Sequence, residues 1–237
     1  MSLQNKIVLV AGGATGIGAA TATLCAAQGA TVILADYNNT AGQAVAERIG
    51  AEFHAVNVTD ESSVRALFAQ IARAHGKLDA LIQTAGVLKG AFVPIEEFEL
   101  DMFRQVIDVN VIGSFLCAKH ATPLLAKSGK GVIVLVSSGA ATGGSSSYAY
   151  GTSKGGVNAL GITLAKKLEP QGIRVNVVMP GNIETPMKRA VVDLEKQLFG
   201  GGEQNSAVLG EPVGVGRVLA WLASDDADYV RGEIRTR

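Results

Sequence analysis

The chain has 237 residues, of which 48% are hydrophobic and 18% are charged, and its 21 basic residues balance its 21 acidic residues. This length suits one large α/β domain with a well-buried core, or two small domains. The charges are dispersed and form no basic patch, so we expect no nucleic-acid partner.

The cysteines, histidines and apolar runs exclude further classes of protein. Cys25 and Cys117 stand apart in apolar, helix-like surroundings, which favours two buried thiols over a disulfide, and the three histidines are scattered. No apolar run reaches the roughly 18 residues of a membrane-spanning helix. The first residues lead into a strand without a signal-peptide pattern. We therefore expect a soluble, cytoplasmic protein without a metal site or membrane contact.

The first 36 residues predict a βαβ unit with glycines in its first turn. Residues 7–11 form a short apolar strand, an alanine-rich helix extends to about residue 28, and residues 31–35 form the second strand. Such glycines permit a tight turn, close approach of a pyrophosphate and close packing of helix on strand. The helix N-terminus offers free N–H groups to the phosphates. This pattern indicates a dinucleotide-binding site formed by Gly12, Gly16 and Gly18.

Asp36, at the end of the second strand, indicates which dinucleotide is bound. Its carboxylate can accept hydrogen bonds from both hydroxyls of the adenosine ribose and would repel a 2′-phosphate. Neither Tyr37 nor the glycine loop supplies a basic residue that would pair with such a phosphate. The pattern favours NAD over NADP, and a solvated turn aspartate is the alternative.

The rest of the chain continues the alternation of strands and helices. This alternation predicts an α/β fold with one doubly wound parallel sheet (a Rossmann fold), helices on both faces and a single domain over residues 1–237. In such sheets, ligands bind outside the carboxyl ends of the strands. We predict helices over residues 42–49 and 61–75, two helices within 96–127 and one over 148–168, and strands over 52–56, 79–82, 132–136 and 172–179.

Tyr150 and Lys154 are four residues apart on a predicted helix, so their side chains share a face. A cation beside a phenol lowers its pKa from about 10, and the tyrosine could then exchange a proton with an alcohol or a carbonyl. Ser137 and Ser138, at the end of the fifth strand, offer a hydroxyl for the same substrate oxygen. The spacing is common by chance, so an ordinary surface pair is the alternative.

Asn110 lies in the apolar helical run of residues 106–112, where we expect it to be buried. A buried asparagine must find hydrogen-bond partners. It could serve as a structural anchor or as part of a relay, and the residues alone favour the anchor.

In this order, the motifs resemble those of the short-chain dehydrogenase/reductase family in its compact form, over nearly the whole chain. The resemblance implies an NAD-dependent oxidoreductase that interconverts a secondary alcohol and a ketone by hydride transfer. Tyr150 would be the general acid/base, and Lys154 would lower its pKa and hold the nicotinamide ribose. Asn110 would hold a water in a proton relay. The motifs are the three glycines, Asp36, Asn57-Val58, Ala85-Gly86, Asn110, Ser137-Ser138, Tyr150 with Lys154, and residues 180–185.

The resemblance also implies which serine orients the substrate and which residues contact the cofactor. The family's serine is usually the second of the pair, which indicates Ser138 if the loop over residues 139–147 is one residue short. Shifting the strand instead would turn the side chain to the other face. The implied cofactor residues are Gly12, Thr15, Gly16, Ile17, Gly18, Asp36, Tyr37, Asn57, Val58, Thr84, Ala85, Gly86, Tyr150, Lys154, Pro180, Gly181, Ile183 and Thr185.

The sequence departs from the family pattern at several positions. Ala11 replaces a usual threonine, and Gln83-Thr84 replace two asparagines, so we expect the Thr84 hydroxyl to join the glycine loop to that strand end. Asn57 replaces a frequent aspartate, and we expect its side-chain oxygen to accept a hydrogen bond from the adenine. The last strand is expected to be short. We expect a homodimer, through the long helices that carry Asn110 and Tyr150, or a homotetramer.

Residues 186–212 correspond to the segment that covers the substrate in this family. Their apolar spacing predicts an amphipathic helix, with residues 200–202 as a glycine hinge, although ordinary helix packing explains the pattern equally well. A covering role implies an apolar or partly apolar secondary alcohol or ketone. Two alternatives stay open: an NADP-linked 3-oxoacyl-thioester reductase, and a non-catalytic NAD-binding sensor or scaffold protein.

Overall fold

The computed structural model describes residues 2–200 and 209–236. Their strands form a single seven-stranded sheet in which all neighbouring strands are parallel. The strands are β1 (Ile7–Ala11), β2 (Thr31–Asp36), β3 (Glu52–Ala55), β4 (Ala80–Gln83), β5 (Gly131–Val136), β6 (Ile173–Met179) and β7 (Gly232–Arg235). Their order along the sheet is β3-β2-β1-β4-β5-β6-β7.

Helices cover both faces of this sheet, which confirms the predicted doubly wound fold. Helices α1, α2 and α9 contribute to the apolar core on one face, and α3, α5 and α7 contribute to the core on the other. The helices are α1 (Gly16–Ala27), α2 (Asn39–Ile49), α3 (Glu61–His75), α4 (Leu100–Ile107), α5 (Gly113–Ala126), α6 (Ala140–Gly143), α7 (Tyr148–Leu168), α8 (Pro186–Phe199) and α9 (Pro212–Ala223).

The central strands are apolar throughout because both faces of a parallel sheet are covered. Leu9 pairs in register with Ile33 and Leu81, and Leu81 pairs with Ile133. These four side chains form a fully buried row in the core beneath α3, α5 and α7. The strands on either side of β1 are reached by connections running in opposite directions. The carboxyl ends of β1 and β4 therefore mark the switch point where such folds bind ligands.

The structure differs from the predicted helices at α2 and between α4 and α5, and the short helix α6 lies within residues 139–147, which were predicted as a loop. Helix α2 begins at Asn39 rather than at residue 42, because the Asn38 side chain accepts a hydrogen bond from the Ala41 amide at 3.1 Å and caps the helix there. The two helices predicted within residues 96–127 are joined without a break. A π turn over Asp108–Ile112 connects α4 directly to α5.

The last strand is short, as predicted: β7 has four residues and pairs with β6. The homodimer or homotetramer stays a prediction. Leu100, Phe115 and Ile162, on the helices expected to form the subunit contact, are exposed apolar side chains.

Within residues 2–200 and 209–236, no helix has the length and apolarity needed to cross a membrane. The same residues bring together no cluster of three or more potential metal ligands. Cys25 and Cys117 are free thiols, and burial raises the pKa of each to about 12.

Asp79 joins the start of the sheet to two loops. Its carboxylate accepts hydrogen bonds from the Ile7 amide at 2.8 Å, from Lys77 Nζ at 2.8 Å and from Ser128 Oγ at 2.5 Å. Burial opposes ionisation of this carboxyl group. The hydrogen bonds outweigh that effect and hold its pKa below the usual 3.8.

We expect Asp79→Asn to lower the free energy of unfolding at pH 7 by about 1–3 kcal/mol, because an amide cannot accept all three bonds. A carboxylate with a lowered folded-state pKa stabilises above its unfolded pKa and loses this effect as pH falls through its folded pKa. The difference from wild type should therefore shrink below about pH 4. Urea unfolding across a pH series measures it. Asp101→Asn, at a side chain that is 83% exposed, is the matched control. A difference of constant size at every pH would refute the assignment.

Candidate active site

A cavity of about 900 Å³ lies along the carboxyl ends of the strands. Every residue predicted to contact the cofactor lines it, and so does Ser138, whereas Asn110 lies behind its wall. The sequence reasoning missed several lining residues because they belong to no chemical motif, whether they lie in loops or, like Gln105 and Lys188, in α4 and α8. These residues include Leu88, Lys89, Gln105, Ser145, Ser146 and Lys188.

The glycine loop fits a dinucleotide for steric reasons. Gly12 has a φ of +83°, and a Cβ there would lie 2.3 Å from the Ala85 nitrogen. A Cβ on Gly18 would lie 2.0 Å from the Gly12 carbonyl oxygen, so α1 packs directly on the turn. Thr15 precedes α1, and its side chain makes no capping hydrogen bond. The first N–H groups of α1 therefore remain available for an anion such as a pyrophosphate.

Asp36 joins the glycine loop to the end of β2. One carboxylate oxygen accepts a hydrogen bond from the Ala14 amide and the other from the Asn38 amide, both at 2.9 Å. Each oxygen has a further lone pair for a ligand hydroxyl. Tyr37 beside it is 81% exposed and also lines the cavity.

Thr84 replaces the hydroxyl that Ala11 lacks, as predicted. Its Oγ1 lies 2.8 Å from the Ala11 carbonyl oxygen and 3.0 Å from that of Gly12. The glycine loop is thereby joined to the end of β4 through a side chain on the neighbouring strand.

The two serines after β5 have different partners. The Ser137 hydroxyl is buried and donates to the Lys154 carbonyl oxygen at 2.9 Å. The Ser138 hydroxyl lines the cavity beside Tyr150, accepts a hydrogen bond from the Ala140 amide at 3.1 Å and lowers the pKa of the Tyr150 phenol. The geometry therefore favours Ser138 as the hydroxyl that works with Tyr150.

Helix α7 carries Tyr150 and Lys154 in its first two turns. Ser147 caps it by accepting a hydrogen bond from the Tyr150 amide at 3.3 Å. The same hydroxyl donates to the Lys89 carbonyl oxygen at 2.6 Å, which joins the helix start to the loop after β4. Lys154 Nζ lies 5.6 Å from the centroid of the Tyr150 ring and donates to the Val136 carbonyl oxygen at 2.9 Å.

The expected lowering of the Tyr150 pKa does not appear in the structure. Burial raises the pKa of the phenol above its usual 10, and the hydrogen bond from Ser138 lowers it only in part. Burial also lowers the pKa of the Lys154 ammonium from 10.5 to about 8. The spacing of the two residues revealed their shared face but gave no measure of their burial.

Asn110 sits in the π turn and is fully buried. Its Oδ1 accepts from the Val87 amide at 2.8 Å, and its Nδ2 donates to the Val87 carbonyl oxygen and to Ser153 Oγ, each at 2.9 Å. Ser114 donates to its main-chain carbonyl oxygen at 2.6 Å. The side chain is thus an anchor, which agrees with the interpretation that the residues alone favoured.

The segment after β6 brings α8 against the glycine loop. The Thr185 hydroxyl caps α8 by accepting from the Lys188 amide at 3.2 Å, and a Cβ on Gly16 would lie 3.2 Å from Thr185 Cγ2. Ile183 forms an isolated bridge with Gly210. The predicted amphipathic helix is confirmed by α8, although part of the predicted hinge, residues 201–202, lies outside the described residues.

The Asn57 side chain differs from its expected role. Its Oδ1 accepts hydrogen bonds from the Thr59 amide at 3.1 Å and from Thr59 Oγ1 at 2.9 Å. These two donors occupy both lone pairs of the oxygen. The oxygen expected to accept a hydrogen bond from the adenine is therefore already used within the chain.

Comparison with known proteins supports an oxidoreductase. The family model described as Enoyl-(Acyl carrier protein) reductase matches residues 12–236. (+)-Borneol dehydrogenase 1 of Salvia officinalis is 35% identical over 97% of this chain and 91% of its own length. Cis-4-hydroxycyclohexanecarboxylate dehydrogenase of Sinomonas cyclohexanicum is 36% identical over 98% of this chain and 95% of its own. The solved structure of levodione reductase has a TM-score of 0.90 at 29% identity, covering 98% of this chain and 96% of that one.

The parallel sheet, the glycine loop and the cavity at the switch point define a dinucleotide-binding α/β protein. The chain belongs to the short-chain dehydrogenase/reductase family. It is accordingly an NAD(P)-dependent oxidoreductase that acts on CH–OH groups.

We expect Thr84→Val to weaken NADH binding by roughly two- to tenfold, because it removes the side-chain hydrogen bond that joins the glycine loop to the end of β4. Thr84→Ser keeps the hydroxyl and should bind NADH as wild type does. Titration of each protein with NADH, followed by nicotinamide fluorescence, measures the difference. Equal affinities for the valine variant and wild type would show that the loop holds its shape without this bond.

Proposed function

We propose that this chain is an NAD-dependent dehydrogenase that interconverts a secondary alcohol and a ketone, with Tyr150 as general acid/base. One observation carries the proposal: Ser138, Tyr150 and Lys154 line the same cavity as the glycine loop and Asp36. A proton-transfer group and a dinucleotide-binding loop thus share one space. This arrangement also counts against a non-catalytic sensor or scaffold, which has no need of the first group.

Ser138, Tyr150 and Lys154 have different roles in the proposed proton transfer. When bound, the nicotinamide supplies or accepts the hydride. Ser138 and Tyr150 hold the substrate oxygen. Burial keeps the Tyr150 phenol protonated at neutral pH, which is the form that donates to a ketone oxygen. In the oxidative direction, Tyr150 must first lose this proton. Lys154 is the cation beside the ring and stabilises the resulting phenolate.

We assign two roles to Asn110. Its side chain positions the loop after β4 and, through Ser153, the first turn of α7, since Ser153 Oγ donates to the Tyr150 carbonyl oxygen at 2.8 Å. The side chain is fixed between the Val87 backbone and Ser153, so we place the proton relay at the main-chain carbonyl of Asn110. Ser114 Oγ donates to that carbonyl oxygen at 2.6 Å, and a water of the relay would be a further partner.

The proposed substrate is a secondary alcohol on an alicyclic skeleton. Leu88, Met187 and Val191 give the substrate side of the cavity apolar walls, with Met187 and Val191 contributed by α8, which we propose covers the substrate. The similar proteins named above act, by their names, on borneol and on a hydroxycyclohexanecarboxylate, both ring alcohols.

A 3-oxoacyl-thioester reductase is the second candidate, and the description of the matching family model names a reductase of another acyl-carrier substrate, an enoyl group. Such an enzyme would commonly use NADP. Asp36 opposes this, because its carboxylate would repel a 2′-phosphate. The lysines that line the cavity, Lys89, Lys154 and Lys188, belong to the β4 loop, α7 and α8 rather than to the β2 end where that phosphate would lie.

We expect Tyr150→Phe to lower kcat for alicyclic alcohols by roughly 10²–10⁴-fold while the NADH dissociation constant changes less than about twofold, because general acid/base catalysis is lost and binding is not. The assay follows NADH formation with cyclohexanol, borneol and linear secondary alcohols. Tyr148→Phe is the matched control, because Tyr148 is exposed and packs on Phe98 instead. Full turnover by the Tyr150 variant would disprove the assignment of the acid/base.

We expect wild type to bind NADH at least about tenfold more tightly than NADPH, and Asp36→Ala to bring the two affinities close together. The quantity to compare is the ratio of the NADPH and NADH dissociation constants, because loss of the Asp36 bond to Ala14 would weaken the binding of both dinucleotides alike. Asp108→Ala, at the other carboxylate among the described lining residues, should leave the ratio unchanged. Equal or tighter NADPH binding by wild type would reject NAD and favour the thioester reductase.

A further inference from the structure

Asn57 lies at one end of the cavity, and Ser138 and Tyr150 lie at the other. It follows β3, and Tyr37 follows β2, the neighbouring strand. Both side chains are exposed and line the cavity. Ser138 follows β5, on the far side of β1 and β4 in the strand order. If the nicotinamide lies near Tyr150, Asn57 therefore meets the purine base of the dinucleotide.

The orientation of the Asn57 amide is fixed by its neighbour. The main-chain nitrogen of Thr59 can only donate a hydrogen bond, so the atom facing it at 3.1 Å must be the amide oxygen. Thr59 Oγ1 occupies the second lone pair at 2.9 Å. The part of the amide that remains for a ligand is its NH₂ group, for which the described part of the chain supplies no acceptor.

We propose that Asn57 recognises the purine base by donating a hydrogen bond, so the base's exocyclic amino group is not required for binding. The inference rests on the proposed function, because it concerns the NAD that the chain is proposed to use. The group that Asn57 binds would be a hydrogen-bond acceptor on the base.

The chemistry of the bases makes this inference specific. Adenine presents an amino donor and ring-nitrogen acceptors, whereas hypoxanthine has a carbonyl oxygen in place of the amino group. An NH₂ group finds an acceptor on either base. A carboxylate at residue 57 could only accept. At the place of the exocyclic group it would accept from the amino group of adenine but would face the carbonyl oxygen of hypoxanthine, whose nearest donor, the ring N1–H, is displaced from that place.

The chain itself indicates that Asn57→Asp would keep the local turn. Asp60 accepts from the Ser62 amide at 2.9 Å and from Ser62 Oγ at 2.8 Å, with the same two-residue spacing. Asp36 accepts from the Asn38 amide in the same way. Asn57→Asp should therefore preserve the turn and change only the atom left for the ligand, from a donor to an acceptor.

The test compares NADH with reduced nicotinamide hypoxanthine dinucleotide, titrating the full-length chain and following nicotinamide fluorescence. Wild type should bind the two within about threefold of each other. Asn57→Asp should prefer NADH by about tenfold or more, the effect of one mismatched buried polar contact. Thr59→Ser keeps both the main-chain N–H and the hydroxyl that orient the amide, so its ratio should match wild type. A thermal melt of each variant confirms that it is folded.

The possible failures are distinguishable. If wild type prefers NADH by tenfold or more, or if Asn57→Asp leaves the ratio unchanged, the inference is overturned while NAD binding stands. If wild type binds neither dinucleotide, the proposed function fails and the inference fails with it.

Discussion

The amide of Asn110 holds together the two elements that carry the proposed chemistry. Both of its ends bond to the Val87 backbone after β4, and its nitrogen also bonds to Ser153 in α7. Ser153 in turn donates to the carbonyl oxygen of Tyr150. Each of these groups would cost about 1–3 kcal/mol if it were left buried and unpaired. The position of the tyrosine thus depends on an asparagine in a different helix, and the π turn is the local geometry that places that asparagine.

Hydroxyl groups complete this framework by donating to main-chain carbonyl oxygens. Thr84 joins β4 to the glycine loop, Ser147 joins α7 to the loop after β4, and Ser137 joins the end of β5 to α7. Such bonds keep backbone segments that are distant in sequence at fixed separations. Ser138, beside Ser137, instead lines the cavity with Tyr150. Of these two neighbouring serines, Ser137 therefore stabilises the backbone framework and Ser138 belongs to the candidate active site.

Much of the fold was predictable because its signals are local. The apolar runs identified the strands, the glycines identified the dinucleotide loop, and the four-residue spacing identified the shared face of Tyr150 and Lys154. The π turn was not predictable, because one extra residue shifts the apolar stripe around the helix just as the start of a second helix would. The predicted direction of the Tyr150 pKa shift was wrong, because burial raises this pKa and burial depends on packing that residue spacing does not reveal. The Asn57 oxygen was assigned to the ligand because the competing bond to Thr59 is a backbone turn, which residue type alone did not reveal.

The α8 wall of the cavity and the glycine-loop wall differ in how well they tolerate substitutions. No residue of α8 is buried, although Met187, Lys188 and Val191 line the cavity. These three side chains are half-buried, and substitutions outside the packed core usually change the free energy of unfolding less than substitutions within it. At Gly18, by contrast, a single added methyl group would collide with the Gly12 carbonyl. If α8 covers the substrate as we propose, selection for a new alcohol can therefore alter this helix step by step while the sheet and its dinucleotide loop stay intact, and the evolution of substrate choice is separated from the maintenance of the fold.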